Sequence, residues 1–258
     1  MIFRIVLITI YIFLLAPVVV VCIIAFSSDA SFGFPPSGWS LRWFRAFFSN
    51  QEFIASLILS LKLASAASLI SIVIGLAAAI GLKESQLKGV RAIEVLFMSP
   101  LFIPRLLIGV LLFLLFLQSG LLGSFFGLLL AHVFIIMPYV IRTIASNLQG
   151  IDPTIGEAAR TMGASRIRCF IEVTIPLIKT GLIAASLFAF SVSFTDFYLA
   201  LFLTSQDTMT LPMQMFYYLE WQQDPVVAAA STIQIGLILV IAIIMERIAG
   251  PGRAFGRG

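Results

Sequence analysis

Charge is scarce in this sequence. Only 11% of its 258 residues are Asp, Glu, Lys or Arg, against about 25% in ordinary soluble domains. With 60% hydrophobic residues and a mean hydropathy of +1.10, no soluble core could cover the apolar surface. The groups that build active sites are scarce as well. His132 is the single histidine, which excludes a metal site made of clustered imidazoles. The two cysteines, Cys22 and Cys169, lack metal-binding or redox spacing. There is no Gly-x4-Gly-Lys-Ser/Thr loop to cradle a nucleotide phosphate, and no nucleophile elbow or zinc motif. A soluble enzyme is excluded, and no cofactor or metal is expected on this chain.

Long apolar runs are what the sequence has in abundance. A spanning helix needs about 20 mostly apolar residues. Six segments qualify, at about 5–26, 55–82, 95–117, 124–145, 177–204 and 226–248. The first is too long for the ~7–15 residue core of a cleaved signal peptide, so it reads as a retained helix. The third is interrupted by Pro100, Pro104 and Arg105. These segments predict an all-α polytopic protein, a single membrane unit over 1–258.

The sparse charges are unevenly placed. With the N-terminus inside, twelve of the sixteen Lys and Arg residues fall on the inner side and two, Arg42 and Arg45, on the outer side. The inner set includes Arg4, Lys83, Arg142, Arg160, Arg253 and Arg257; Lys62 and Arg105 lie within spans. This bias puts both termini in the cytoplasm. The segment between spans five and six carries Asp207, Glu220 and Asp224 and no Lys or Arg. That acidity either favours cations or is what the bias leaves behind.

The segment 146–176, between spans four and five, is too long for a simple connection, since helix–helix links in bundles run about 2–8 residues. It carries its own helix signals. Asp152-Pro153 is an N-cap followed by proline at the first helical position. Glu157, Ala158, Ala159 and Arg160 favour helix, and Gly163 is a natural stop. Ser165 can cap a second short helix, and Pro176 suits the first turn of span five. A helix–Gly–helix element bearing Arg160, Arg166 and Arg168 suits docking into a groove of a partner protein; a passive interfacial helix is the competing reading.

Glu157-Ala158-Ala159, three residues, Gly163, nine residues, then Val173-Thr174-Ile175-Pro176 resembles the loop motif of ABC importer permeases. The resemblance implies a type I importer fold with six spans and a coupling element, Glu157 to Ala164 with Pro176, that inserts into a cytoplasmic ATPase. It implies a partner ATPase dimer holding ATP and Mg, a second permease subunit in a heterodimer or homodimer, a periplasmic solute-binding protein, and a place in the bacterial inner membrane. The stretch from Phe34-Pro35-Pro36 to Trp43-Phe44, Ser193-Phe194-Thr195-Asp196 and Thr210-Leu211-Pro212 resemble permeases of the spermidine/putrescine group, specifically its second, shorter subunit. Relatives in that group take up phosphonates, iron or other small ions, so the solute stays open.

A carboxylate inside a span is costly and points to function. Asp196 lies twenty residues beyond Pro176, ~30 Å along a helix axis. At ~100° per residue, Ser186, Ala189, Ser193, Asp196 and Ala200 share one face. Two readings stand: a polar path for a cation, or close helix packing with Asp196 paired to a neighbour. Arg105 either faces the pathway or pairs with Asp196 or a carboxylate of the partner. His132 reads as a hydrogen-bonded packing residue. An ion-coupled secondary carrier is a second function class, but it would show related halves and several intramembrane charges. A membrane-embedded enzyme would need a catalytic constellation that the sequence does not display.

Overall fold

The computed structural model describes residues 2–85 and 87–249; Arg253 and Arg257 lie outside them. Among the described residues the secondary structure is helical apart from one isolated bridge, Ser27 to Trp39. Helices α1 (Ile2–Ala25), α2 (Arg42–Ser49), α3 (Gln51–Glu84), α4 (Val90–Met98), α5 (Arg105–Ser119) and α6 (Phe125–Gln149) precede the 146–176 segment. That segment holds α7 (Pro153–Thr161) and α8 (Arg166–Leu177), and α9 (Lys179–Phe194), α10 (Tyr198–Leu203), α11 (Leu211–Trp221) and α12 (Val226–Ala249) follow. Among the described residues four helices, α1, α3, α6 and α12, are each long and apolar enough to cross a membrane, and the total is six when each of two bent pairs is counted as one span.

The third span is broken where Pro104 and Arg105 interrupt the apolar run, and the expectation of a continuous fifth span is corrected. In the third, Val90–Phe102 and Arg105–Ser119 meet at 104°. Pro104 has no N–H and drives the preceding residue out of the helical region, so Ile103 is extended at φ −100°, ψ 130°. Arg105 is therefore the first residue of α5, not a mid-helix residue. In the fifth, α8 and α9 meet at 68° around Ile178. Pro176 sits in the last turn of α8 rather than the first turn of the span. At its far end α9 stops at Phe194, and α10 restarts at Tyr198. The shared face drawn through Ser186, Ala189, Ser193, Asp196 and Ala200 thus ends at Ser193, because the 100° repeat does not continue through the break.

The chain divides into two compact units. One comprises residues up to 59 with 209–240, the other residues 60–208 with those from 241 onward. In the first, α1 leaves nearly all its apolar side chains uncovered, as a helix facing lipid does. Phe26–Phe44 joins the end of α1 to α2, and Phe47–Phe53 and Phe53–Tyr218 join α2 and α11 to the start of α3, at 4.8–5.3 Å between centroids. Gln214 donates to Glu52 at 3.0 Å. Tyr218 donates to Asp224 at 2.9 Å, and burial first, then that hydrogen bond, push its phenol up to about 12.

The second unit is built on α6. Leu128, Ile135, Ile136, Val140, Ile141 and Ile144 are buried on it, and Ala185 and Ala189 of α9 are buried with them. Aliphatic side chains gain little by leaving lipid, so such a contact rests on close packing through small residues and on polar links. The polar links are present. Ser68 Oγ donates to the Ser186 carbonyl at 3.1 Å, and His132 Nδ1 meets Ser193 Oγ at 2.7 Å.

Candidate functional site

Two constellations in the second unit carry the unusual chemistry. The first is the helix–turn–helix of 152–177. Asp152 caps α7: the backbone N–H of Thr154 donates to Oδ1 at 2.9 Å and the Thr154 hydroxyl at 2.8 Å. Those two bonds, the backbone one first, hold the Asp152 carboxyl below its usual value. Gly163, at φ +92°, reverses the chain where a side chain would be strained. Its N–H donates to the Arg160 carbonyl at 3.0 Å, and the Ala164 N–H reaches back to Ala159 at 3.1 Å, closing the last turn of α7. Ser165 then caps α8 by accepting the Arg168 N–H at 3.2 Å. Within α8, Phe170–Thr174 forms a π turn.

The element is fastened on one side and open on the other. Arg166 pairs with Glu84 at the end of α3, and Lys83 Nζ donates to the Leu148 carbonyl at 2.6 Å. Cys169 Sγ approaches the Gly156 carbonyl at 3.8 Å, tying α8 to α7. Between these helices and the ends of α3 and α6 lies a cavity of 810 Å³, lined by Ile80, Ile151, Phe170 and Leu177 with Glu157 and Arg160 at its polar part. Glu157 and Arg160 are exposed at the rim of this cavity, Ala158 and Pro176 are exposed, Ala159 and Ala164 half-buried, and Met162 beside the turn is 89% exposed. A capped, fastened reversal that presents such a tip has the form of a docking element.

The ionised cap has a pH signature. A folded pKa below the unfolded value of about 3.9 stabilises above that value and is lost as pH falls through the folded one. Asp152→Ala is therefore expected to speed amide exchange over 154–157 several-fold, by the same factor at ~pH 6 and ~pH 8. Hydrogen-exchange mass spectrometry reads it, and unchanged exchange would contradict the cap.

The second constellation joins the two span breaks. Asp196 lies between α9 and α10 with no exposed side-chain surface, while the Arg105 side chain is 37% exposed. One Asp196 oxygen, Oδ1, accepts the Leu199 N–H at 2.8 Å and so caps α10; the other, Oδ2, faces Arg105 Nη1 at 3.5 Å. Gly109 sets this contact. A Cβ there would stand 2.6 Å from the Phe202 ring and 3.1 Å from the Tyr198 carbonyl, so only glycine lets α5 lie this close to α10. Ser193, one turn before Asp196, is buried with its hydroxyl on His132. Phe190 and Phe194 are buried there too, so the small, polar residues do not form an open stripe. The His132 Nε2 atom has no partner among the described residues.

The sequence did not disclose the Arg166–Glu84 pair or the His132–Ser193 contact. Their partners are 82 and 61 residues apart, and no local pattern links them. Helix α11 had a signal in Thr210-Leu211-Pro212, a proline in the first turn after an extended residue.

Residues 71–251 match the family of binding-protein-dependent transport system inner membrane components. Over 239 residues the chain is 29% identical to the spermidine/putrescine transport system permease protein PotC of Haemophilus influenzae, covering 93% of each. It is also 29% identical over 215 residues to the molybdenum transport system permease protein ModB of Escherichia coli, covering 77% of this chain and 94% of that protein. A solved structure of a bacterial alginate ABC transporter, in complex with alginate pentasaccharide-bound periplasmic protein, superposes with a TM-score of 0.74. It covers 96% of this chain and 95% of that one at 17% identity, a likeness of fold.

Proposed function

Since this chain belongs to the family of binding-protein-dependent transport system inner membrane components, we propose that its cargo is a small organic cation of the polyamine type. It is a permease subunit of a bacterial inner-membrane importer, and in our reading it lines half of the translocation pathway beside a second permease. A periplasmic solute-binding protein delivers the cargo. Both termini and the 146–176 segment face the cytoplasm, by the bias of Lys and Arg. ATP and Mg are held by a separate ATPase dimer, and the exposed Glu157-Ala158-Ala159-Arg160 and Gly163 turn docks on it.

The observation that carries the cargo reading is the similarity to a spermidine/putrescine permease over 93% of both chains. The intramembrane Asp196 supports it, since a carboxylate at a span break suits an ammonium group. Ser193 beside it and Arg105 opposite complete the candidate pathway set. The equal identity to a molybdenum permease, with the partly exposed guanidinium of Arg105, favours a second reading in which the cargo is an oxyanion. Uptake by cells lacking their own polyamine importers, expressing this chain with its neighbouring transport genes, separates the two. Saturable, energy-dependent uptake of labelled spermidine or putrescine is expected. Uptake of molybdate with none of either polyamine would overturn the cation reading.

A further inference from the structure

The two oxygens of Asp196 are held very differently. Oδ1 is fixed by the Leu199 N–H at 2.8 Å, while Oδ2 has Arg105 at 3.5 Å through one nitrogen. Charge-assisted Arg–carboxylate bonds ordinarily run about 2.7–2.9 Å and are often two-pronged, so this pair is long and single. Arg105 is also poorly placed apart from Asp196. It is the first residue of α5, where the helix dipole is positive and disfavours a cation. The carboxylate is fully covered and the arginine is the partly exposed member, so a cation reaching Oδ2 has to take the place of the guanidinium. A primary ammonium is a compact point charge, able to approach one carboxylate oxygen more closely than a guanidinium held on the end of α5.

We propose that Arg105 is a resident counter-cation that the cargo displaces: between turnovers it occupies Asp196, and an incoming alkylammonium group exchanges with it. The exchange has a mechanical consequence. Asp196 caps α10 and Arg105 begins α5, at the breaks of the fifth and third spans, and Gly109 keeps the two helices in contact. Releasing Arg105 removes the charged tie between these helix starts, so the contact loosens only when cargo is present. Arg105 then acts as a specificity-determining residue: a neutral solute or an anion leaves the tie closed.

This rests on the polyamine reading, and the test keeps the two apart. The whole transporter, with its ATPase, second permease and binding protein, is reconstituted in lipid vesicles and assayed with spermidine against sodium chloride of equal ionic strength. In Arg105→Gln the competitor and the tie are both gone. Its KM for spermidine is expected to fall and its cargo-free ATP hydrolysis to rise, each by at least about five-fold, the lower end of usual site-to-site coupling. Both values at the wild-type level would overturn the exchange. Wild-type protein gives a second readout that needs no variant. Phenylglyoxal modification of Arg105, followed by mass spectrometry, is expected to speed up when spermidine is present; an unchanged rate alongside spermidine uptake would overturn the exchange alone. Absence of spermidine uptake by the wild type would overturn the cargo reading and the exchange with it.

Discussion

Gly163→Pro is expected to abolish ATP-driven uptake while the chain still inserts into the membrane at its normal level. Gly163 sits at φ +92°, and proline is confined to φ near −65°. The substitution also removes the N–H that donates to Arg160 at 3.0 Å. The reversal between α7 and α8 cannot form in its present shape, and Met162 and Arg160 move with it. The spans are untouched, because the turn lies outside them and is exposed. Glu157→Lys tests the same surface without altering the backbone. Glu157 is exposed on α7, so the reversed charge costs the fold of this chain little, surface substitutions usually staying within about ±0.5 kcal/mol. Its effect is expected on the partner: loss of ATPase association and of uptake, read by co-purification and by a vesicle transport assay. Normal transport in both variants would remove the docking role from this element.

The second large effect is at Asp196. Asp196→Ala is expected to cost about 1–2 kcal/mol, mostly for the lost helix cap, because the pair is a single long contact and the Arg105 side chain left behind is 37% exposed. It deletes the cap on Leu199 N–H and leaves Arg105 without its carboxylate at the start of α5. Asp196→Asn separates these contributions. Its amide oxygen can still accept the Leu199 N–H, so it is expected to recover a substantial part of the lost thermal stability in detergent while remaining defective in cation uptake. Equal stability of Asp196→Ala and wild type would show that the carboxylate ties nothing together.

Legibility from the sequence followed the range of the interactions. The 146–176 segment could be read closely because its determinants are local: Asp152 before Pro153, Gly163 after α7, and Ser165 before α8. Each acts within about one helical turn of itself. The six apolar runs were visible for the same reason. The breaks were harder. Pro104 announced an interruption, but the 104° bend depends on how α5 packs on α10 through Gly109. At Asp196 the apolar run continues without a proline, so a hydropathy reading passes through it. What ends α9 there is a side chain turning back to cap Leu199, with a charged partner 91 residues away. At the intramembrane site the pairing of Arg105 with Asp196 was one of the readings open in the sequence and is the one found, whereas the His132–Ser193 contact was not legible.

In our proposal a separate ATPase grips the α7–α8 turn and drives this permease. The most direct test of that proposal is a cross-link from Met162, the exposed residue at that turn, in a background where the native thiols are removed by Cys22→Ser and Cys169→Ser. With Met162→Cys labelled by a maleimide–benzophenone, whose thiol-reactive end takes Cys and whose photoactivated end inserts into any nearby C–H bond, the co-expressed ATPase chain is expected as the cross-linked product, its yield changing on addition of ATP and vanishing in Gly163→Pro. Fully active transporter in which Met162→Cys gives no ATPase adduct at any nucleotide state would contradict the account.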